Sequence, residues 1–85
     1  MGELSGLPNI GKTVEEQLNA VGIHTAEELR RTGAEAAWLR IQGMDPSACI
    51  HRLLALEGAI RGVKKTELPP ERRTELKAFY ENRKK

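Results

Sequence analysis

The chain has 85 residues, of which 39% are apolar, enough for one small core. That excludes a cleft between two large domains, and no run of about 18 apolar residues offers a membrane-spanning helix. The 14 Lys/Arg and 12 Asp/Glu leave a net charge of +2, and the one cysteine, Cys49, excludes an internal disulfide and a multi-cysteine zinc site.

The elements read as helices and short turns, and no period-2 run of Val, Ile and Thr suggests a strand. Residues 1–6 carry no periodic signal and are expected to be flexible. The first helix is predicted from Thr13 to Val21, with Val14, Leu18 and Val21 on one face and Gly22 as its C-terminal cap. Thr25 and Glu28 make a T-x-x-E capping box for a short helix that ends near Thr32. Thr13/Glu16 and Thr32/Glu35 repeat that spacing. A third helix runs from Gly33 to Gln42 with Ala34, Ala37, Trp38 and Ile41 on its apolar face, and Gly43 is expected to stop it. Asp45-Pro46 reads as a cap with proline at the first helical position. The helix it opens, to Arg61, is apolar over most of its circumference and is expected to be the central one. Gly58 inside it marks a close crossing with another backbone. Leu68-Pro69-Pro70 turns into a last helix, Pro70 to Asn82, striped by Leu76, Phe79 and Tyr80; residues 82–85 are expected to fray. One compact, all-α, five-helix domain over residues 1–85 follows.

Few residues suggest chemistry. Cys49 and His51 would point about 200° apart on a helix and cannot share a metal or form a nucleophile–base pair. His24 reads as a turn residue and Cys49 as a small buried apolar one. Glu15-Glu16 and Glu27-Glu28 suit the positive ends of helices, in solvent. No phosphate-cradling glycine loop or nucleophile elbow is present. The expectation is no enzyme, no cofactor and no metal.

Leu7-Pro8-Asn9-Ile10-Gly11-Lys12 resembles the hairpin of helix-hairpin-helix DNA-binding modules, with Asn9 where the pattern has its first glycine. Only six residues precede Leu7, so no helix is expected to enter the hairpin. Asn9, Gly11 and Lys12 would then approach a DNA phosphate through backbone N–H groups, a helix N-terminus and a cation. The plainer alternative is a turn that lays Leu7 and Ile10 on the core. The charge is uneven: residues 1–60 hold five Lys/Arg against eight Asp/Glu, and residues 61–85 hold nine against four. Arg61, Lys64, Lys65 and Arg72 are candidates for long-range attraction to phosphate. They also fit an ordinary mixed face, offset by Glu67, Glu71 and Glu75. Trp38, Phe79 and Tyr80 are candidates for a protein-partner or homodimer interface.

Beyond the hairpin, Glu16-x-Leu18-x-x-Val21-Gly22-Ile23, Thr25-x-x-Glu28-Leu29 and Leu53-Leu54-Ala55-Leu56-Glu57-Gly58-Ala59-Ile60-Arg61-Gly62 complete a longer pattern. With Leu68-Pro69 and the last helix, it resembles the C-terminal domain of the TfoX/Sxy competence-regulator family over about residues 7–80. The resemblance implies a small all-α fold related to helix-hairpin-helix and SAM-like folds, here as a stand-alone version. In full-length members it implies a role in promoting natural transformation genes in bacteria, and it supplies no catalytic or ligand residues. The combined expectation is a non-enzymatic regulatory module of the bacterial cytoplasm. Its partner would be DNA, held weakly and salt-dependently, or, in the alternative, a protein or second copy and no nucleic acid; no membrane is expected.

Overall fold

Five α-helices follow in chain order: α1 (Lys12–Ala20), α2 (Ala26–Thr32), α3 (Ala34–Met44), α4 (Ile50–Arg61) and α5 (Pro70–Lys84). Single turns of 3-10 helix, Glu3–Gly6 and Lys65–Glu67, precede α1 and α5. The computed structural model describes residues 3–84, and no strand occurs among them. The flexibility expected of Met1, Gly2 and Lys85 lies outside the described residues. In residues 3–6 the 3-10 turn stands where no entering helix was foreseen, and Leu4 is fully buried in the core. Residues 82–84 continue α5.

α2 begins as its sequence dictates. The Thr25 hydroxyl accepts from the Glu28 N–H at 3.0 Å, and the Glu28 carboxylate accepts from the Thr25 N–H at 3.2 Å. The same carboxylate takes the His24 N–H at 2.8 Å. That bond outweighs the opposing effect of burial and, with the one from Thr25, holds the Glu28 carboxyl below its ordinary range. The other two T-x-x-E pairs form no box. Gly11 caps α1 without a side-chain bond, and Thr32 ends α2. Gly33 alone joins α2 to α3, at φ 88° and ψ 155°, a conformation open to glycine and costly for other residues. α3 buries Ala34, Ala37, Trp38 and Ile41, the expected face, but runs through Gly43 to Met44.

α4 starts at Ile50, four residues beyond the expected Pro46. Asp45 is engaged in a tight turn instead. One carboxylate oxygen takes the Ser47 hydroxyl at 2.6 Å and the Ser47 N–H at 3.1 Å. The other takes Gln17 Nε2 at 2.7 Å and Arg52 at 3.0 Å, tying α1 to α4. α4 is central, as its apolar circumference predicts: it buries Leu53, Ala55, Leu56, Gly58 and Ala59, and α2, α3 and α5 all pack on it. Its one buried charge is Glu57, 5% exposed. Glu15, expected in solvent, is also buried, at 7% exposure. Leu76 brings α5 onto the same core. No helix among the described residues is long and apolar enough to cross a membrane.

Candidate nucleic-acid interface

The hairpin is a turn closed by the Ile10 N–H on the Leu7 carbonyl at 3.3 Å. Asn9 stands at φ 69°, in the left-handed region that asparagine tolerates better than most residues. Ile10 is buried and Leu7 half-buried against the core, so the turn does what the plainer alternative requires. The Asn9 side chain does more. Its Nδ2 donates to the Val63 carbonyl at 3.0 Å and lies 3.4 Å from the Ala55 carbonyl. Its Oδ1 accepts the Lys65 N–H at 3.1 Å. One amide thus fastens the hairpin to α4 and to the loop that follows it. Gly58 lies beneath this contact. A Cβ there would sit 2.5 Å from Asn9 Nδ2 and 2.7 Å from the Val63 carbonyl oxygen. The close crossing expected at Gly58 is present, with the hairpin side chain and the 63–65 loop as its other side.

This fastening ties the hairpin to the loop that carries two of the basic residues. Lys12 opens α1 three positions after Asn9, exposed, beside exposed Gly11. Lys64 and Lys65 lie on the loop that the Asn9 side chain grips. The carboxylate of Glu67 accepts the Lys64 N–H at 3.2 Å and steadies that loop. Among the described residues, no acidic side chain pairs with Lys12, Lys64 or Lys65. The α1 N-terminus beside them also lacks a side-chain cap.

Two of the expected phosphate cations are committed elsewhere. Arg72 makes contacts of 3.1 Å to Glu57, 3.0 Å to Glu35 and 3.1 Å to Glu75. Its hydrogen bonds to Glu57 raise its pKa further against the opposing effect of burial, with Glu35 and Glu75 adding to the rise. It is a structural cation that clamps α5 to α3 and α4. Arg61 Nε donates to Glu57 Oε2 at 2.6 Å. Burial pushes the Glu57 carboxyl up, but hydrogen bonds from Arg72 and Arg61 prevail and leave it below its ordinary value. Sequence reasoning gave Glu57 no role. Its signal was an acid within the apolar stretch Leu53–Ile60, four residues before an arginine.

The expected partner trio forms an internal seam. Trp38 is 0% exposed and its indole N–H donates to the Cys49 carbonyl at 3.2 Å. Phe79 and Tyr80 of α5 are half-buried and meet its ring edge-on, with centroids 6.1 and 5.7 Å away. The Arg83 guanidinium lies 5.3 Å from the Phe79 centroid. Trp38 therefore offers nothing to a partner. Cys49, expected to be buried, is half-buried at the N-cap of α4, outside the helix. His24 and His51 are exposed.

Comparison with known proteins places this architecture. The family model for the TfoX C-terminal domain matches residues 1–80. Protein Sxy of Escherichia coli is 40% identical over 73 residues, which is 86% of this chain and 35% of that protein. The chain thus spans about a third of the length of that relative. Two crystal structures from Listeria monocytogenes, one of an uncharacterised protein in a triclinic form and one of a protein of unknown function in a tetragonal form, share the fold. The triclinic form has TM-score 0.94 and 43% identity, covering 95% of this chain and 92% of that one. The tetragonal form has TM-score 0.91 and 44% identity, covering 93% and 96%. With a matching model over nearly its whole length, the chain belongs to the TfoX C-terminal domain family, a TfoX/Sxy-like family of regulatory domains.

Proposed function

We propose that this chain is a non-enzymatic, cytoplasmic regulatory module that associates with DNA through backbone phosphates, tolerant of sequence. The observation that supports this reading is the Asn9 side chain, which joins the hairpin carrying Gly11 and Lys12 to the loop carrying Lys64 and Lys65. The hairpin and the loop it grips carry three lysines without acidic partners and an uncapped helix start. Such a site attracts phosphate, and its one amide side chain, Asn9, is engaged by the 63–65 loop. Arg72 is left out of it, and Arg61 contributes only what Glu57 leaves unbalanced. The competing reading, a homodimer module without nucleic acid, has less to work with. Met44, 51% exposed, is the one large hydrophobic side chain that is exposed among the described residues. An obligate apolar interface needs more. A part in promoting natural transformation genes would belong to this module acting with further domains, since E. coli Sxy is about two and a half times as long.

The test is fluorescence anisotropy of a labelled duplex at low and physiological salt. With about three phosphate contacts, log affinity should fall against log salt with a slope near −3. Lys12→Glu with Lys64→Glu should abolish binding while the circular dichroism spectrum is unchanged. Absence of binding at low salt, where electrostatic contact is strongest, would remove the reading.

A further inference from the structure

The side of the molecule between α4 and α5 holds a groove of ≈ 330 Å³ that the hairpin edge does not use. Ile50 and Leu54, one turn apart on α4, line it, with Pro70, Arg73, Thr74 and Lys77 of α5. The α5 positions form one i, i+3, i+4, i+7 stripe, about 10 Å long. Ile50 and Leu54 are half-buried and packed on the core, so they give the groove an apolar part. The Thr74 hydroxyl donates to the Pro70 carbonyl at 3.0 Å. The groove's charge is therefore that of Arg73 and Lys77. Both are exposed, and no acidic side chain pairs with either among the described residues. Their neighbour Arg72, by contrast, contacts three acids.

We infer that this groove docks an acidic amphipathic segment of a partner protein, its apolar side chains on Ile50 and Leu54 and its carboxylates against Arg73 and Lys77. Charge selects that occupant. The α5 end of a second copy would bring like charge, since residues 61–85 hold nine Lys/Arg against four Asp/Glu. A nucleic-acid backbone would leave the apolar side chains unused. The contact is small, so binding is weak and reversible and its specificity rests on charge placement. The surface is separate from the hairpin edge, and one chain could engage DNA and an acidic partner together.

The test uses the isotope-labelled full chain and a synthetic helical peptide with leucines spaced i, i+4 and flanked by glutamates. A scrambled peptide of the same composition is the control. Saturable amide shifts should cluster at residues 50–54 and 70–77 and fade with salt. Arg73→Glu with Lys77→Glu, both at exposed helix positions that leave the fold intact, should weaken binding about tenfold or more. Lys12→Glu with Lys64→Glu should leave it unchanged, which separates this surface from the DNA reading. Equal binding of the scramble, no saturable shift at low salt, or insensitivity to the α5 charge reversal would each overturn the inference. So would concentration-dependent shifts of the same residues without peptide, which would give the groove to a second copy.

Discussion

Asn9 carries two separate burdens, one in its backbone and one in its side chain. The φ of 69° disfavours most residues, and the amide makes three bonded contacts to Val63, Ala55 and Lys65. Asn9→Ala should therefore lose about 2–4 kcal/mol in urea unfolding, from unmade hydrogen bonds and left-handed strain. Asn9→Gly should recover roughly 1 kcal/mol of that, the strain alone. Equal stability of the two variants would show that the backbone contributes nothing. Gly58→Ala sits on the other side of the same contact. A better helix former gains roughly 1 kcal/mol, but the clash with the Val63 carbonyl opposes it. Overpacking against backbone costs about 1–3 kcal/mol, so the variant should be less stable, with a lower urea midpoint. The glycine's need for space was legible, because a glycine inside an apolar helix asks for a reason. What filled the space was not, because Asn9 lies 54 residues before its partner Val63 and nothing local links them.

Elements were legible where their signals are local. The Thr25 box and the apolar face of α3 depend on neighbours within one or two turns, and both formed. The start of α4 was not, because Asp45 answers to Gln17 and Arg52, which sequence distance hides. Asp45 still accepts the Ser47 N–H, but the turn it opens closes at Ala48 and the helix begins at Ile50 instead. The position of α5 depends on the ion cluster. Arg72→Met should cost about 3 kcal/mol, because it leaves the buried Glu57 carboxylate to Arg61 alone. Adding Glu57→Leu should restore most of the loss, since an apolar pair of similar bulk needs no counter-charge. Thermal melts of the single and double variants decide this. A double variant no better than the single would mean that the cluster adds stability in its own right. The same cluster engages Arg72: its place in a basic run is visible in sequence, whereas the acids that pair with it come from α3, α4 and α5.

For the whole molecule, the carboxylates set the pH range. The Ser47 hydroxyl, then Gln17, the Ser47 N–H and Arg52 hold the Asp45 carboxyl down to about 2. An unfolded aspartate titrates near 3.9, so this stabilisation is complete above that value and is lost as pH falls from about 4 to 2. Glu28 and Glu57 are shifted the same way. The urea midpoint should be flat near neutral pH and drop below about pH 4.5. Asp45→Asn should lower the midpoint at pH 7 and flatten its fall in acid. Trp38 offers a second readout. It is the single tryptophan, fully buried on α3 against α5, so its emission should be blue-shifted in the native state. Emission should shift red with α5 undocking; a red native spectrum would contradict the buried seam. Finally, the Asn9 contacts bear on synthesis. The partners of the hairpin, Val63 and Lys65, are made 54 and 56 residues after it. During translation the hairpin emerges without the loop that fixes it. A nascent chain stopped before Lys64 holds Lys12 without the other two lysines of the proposed surface, which is complete only once residues 63–65 have been made.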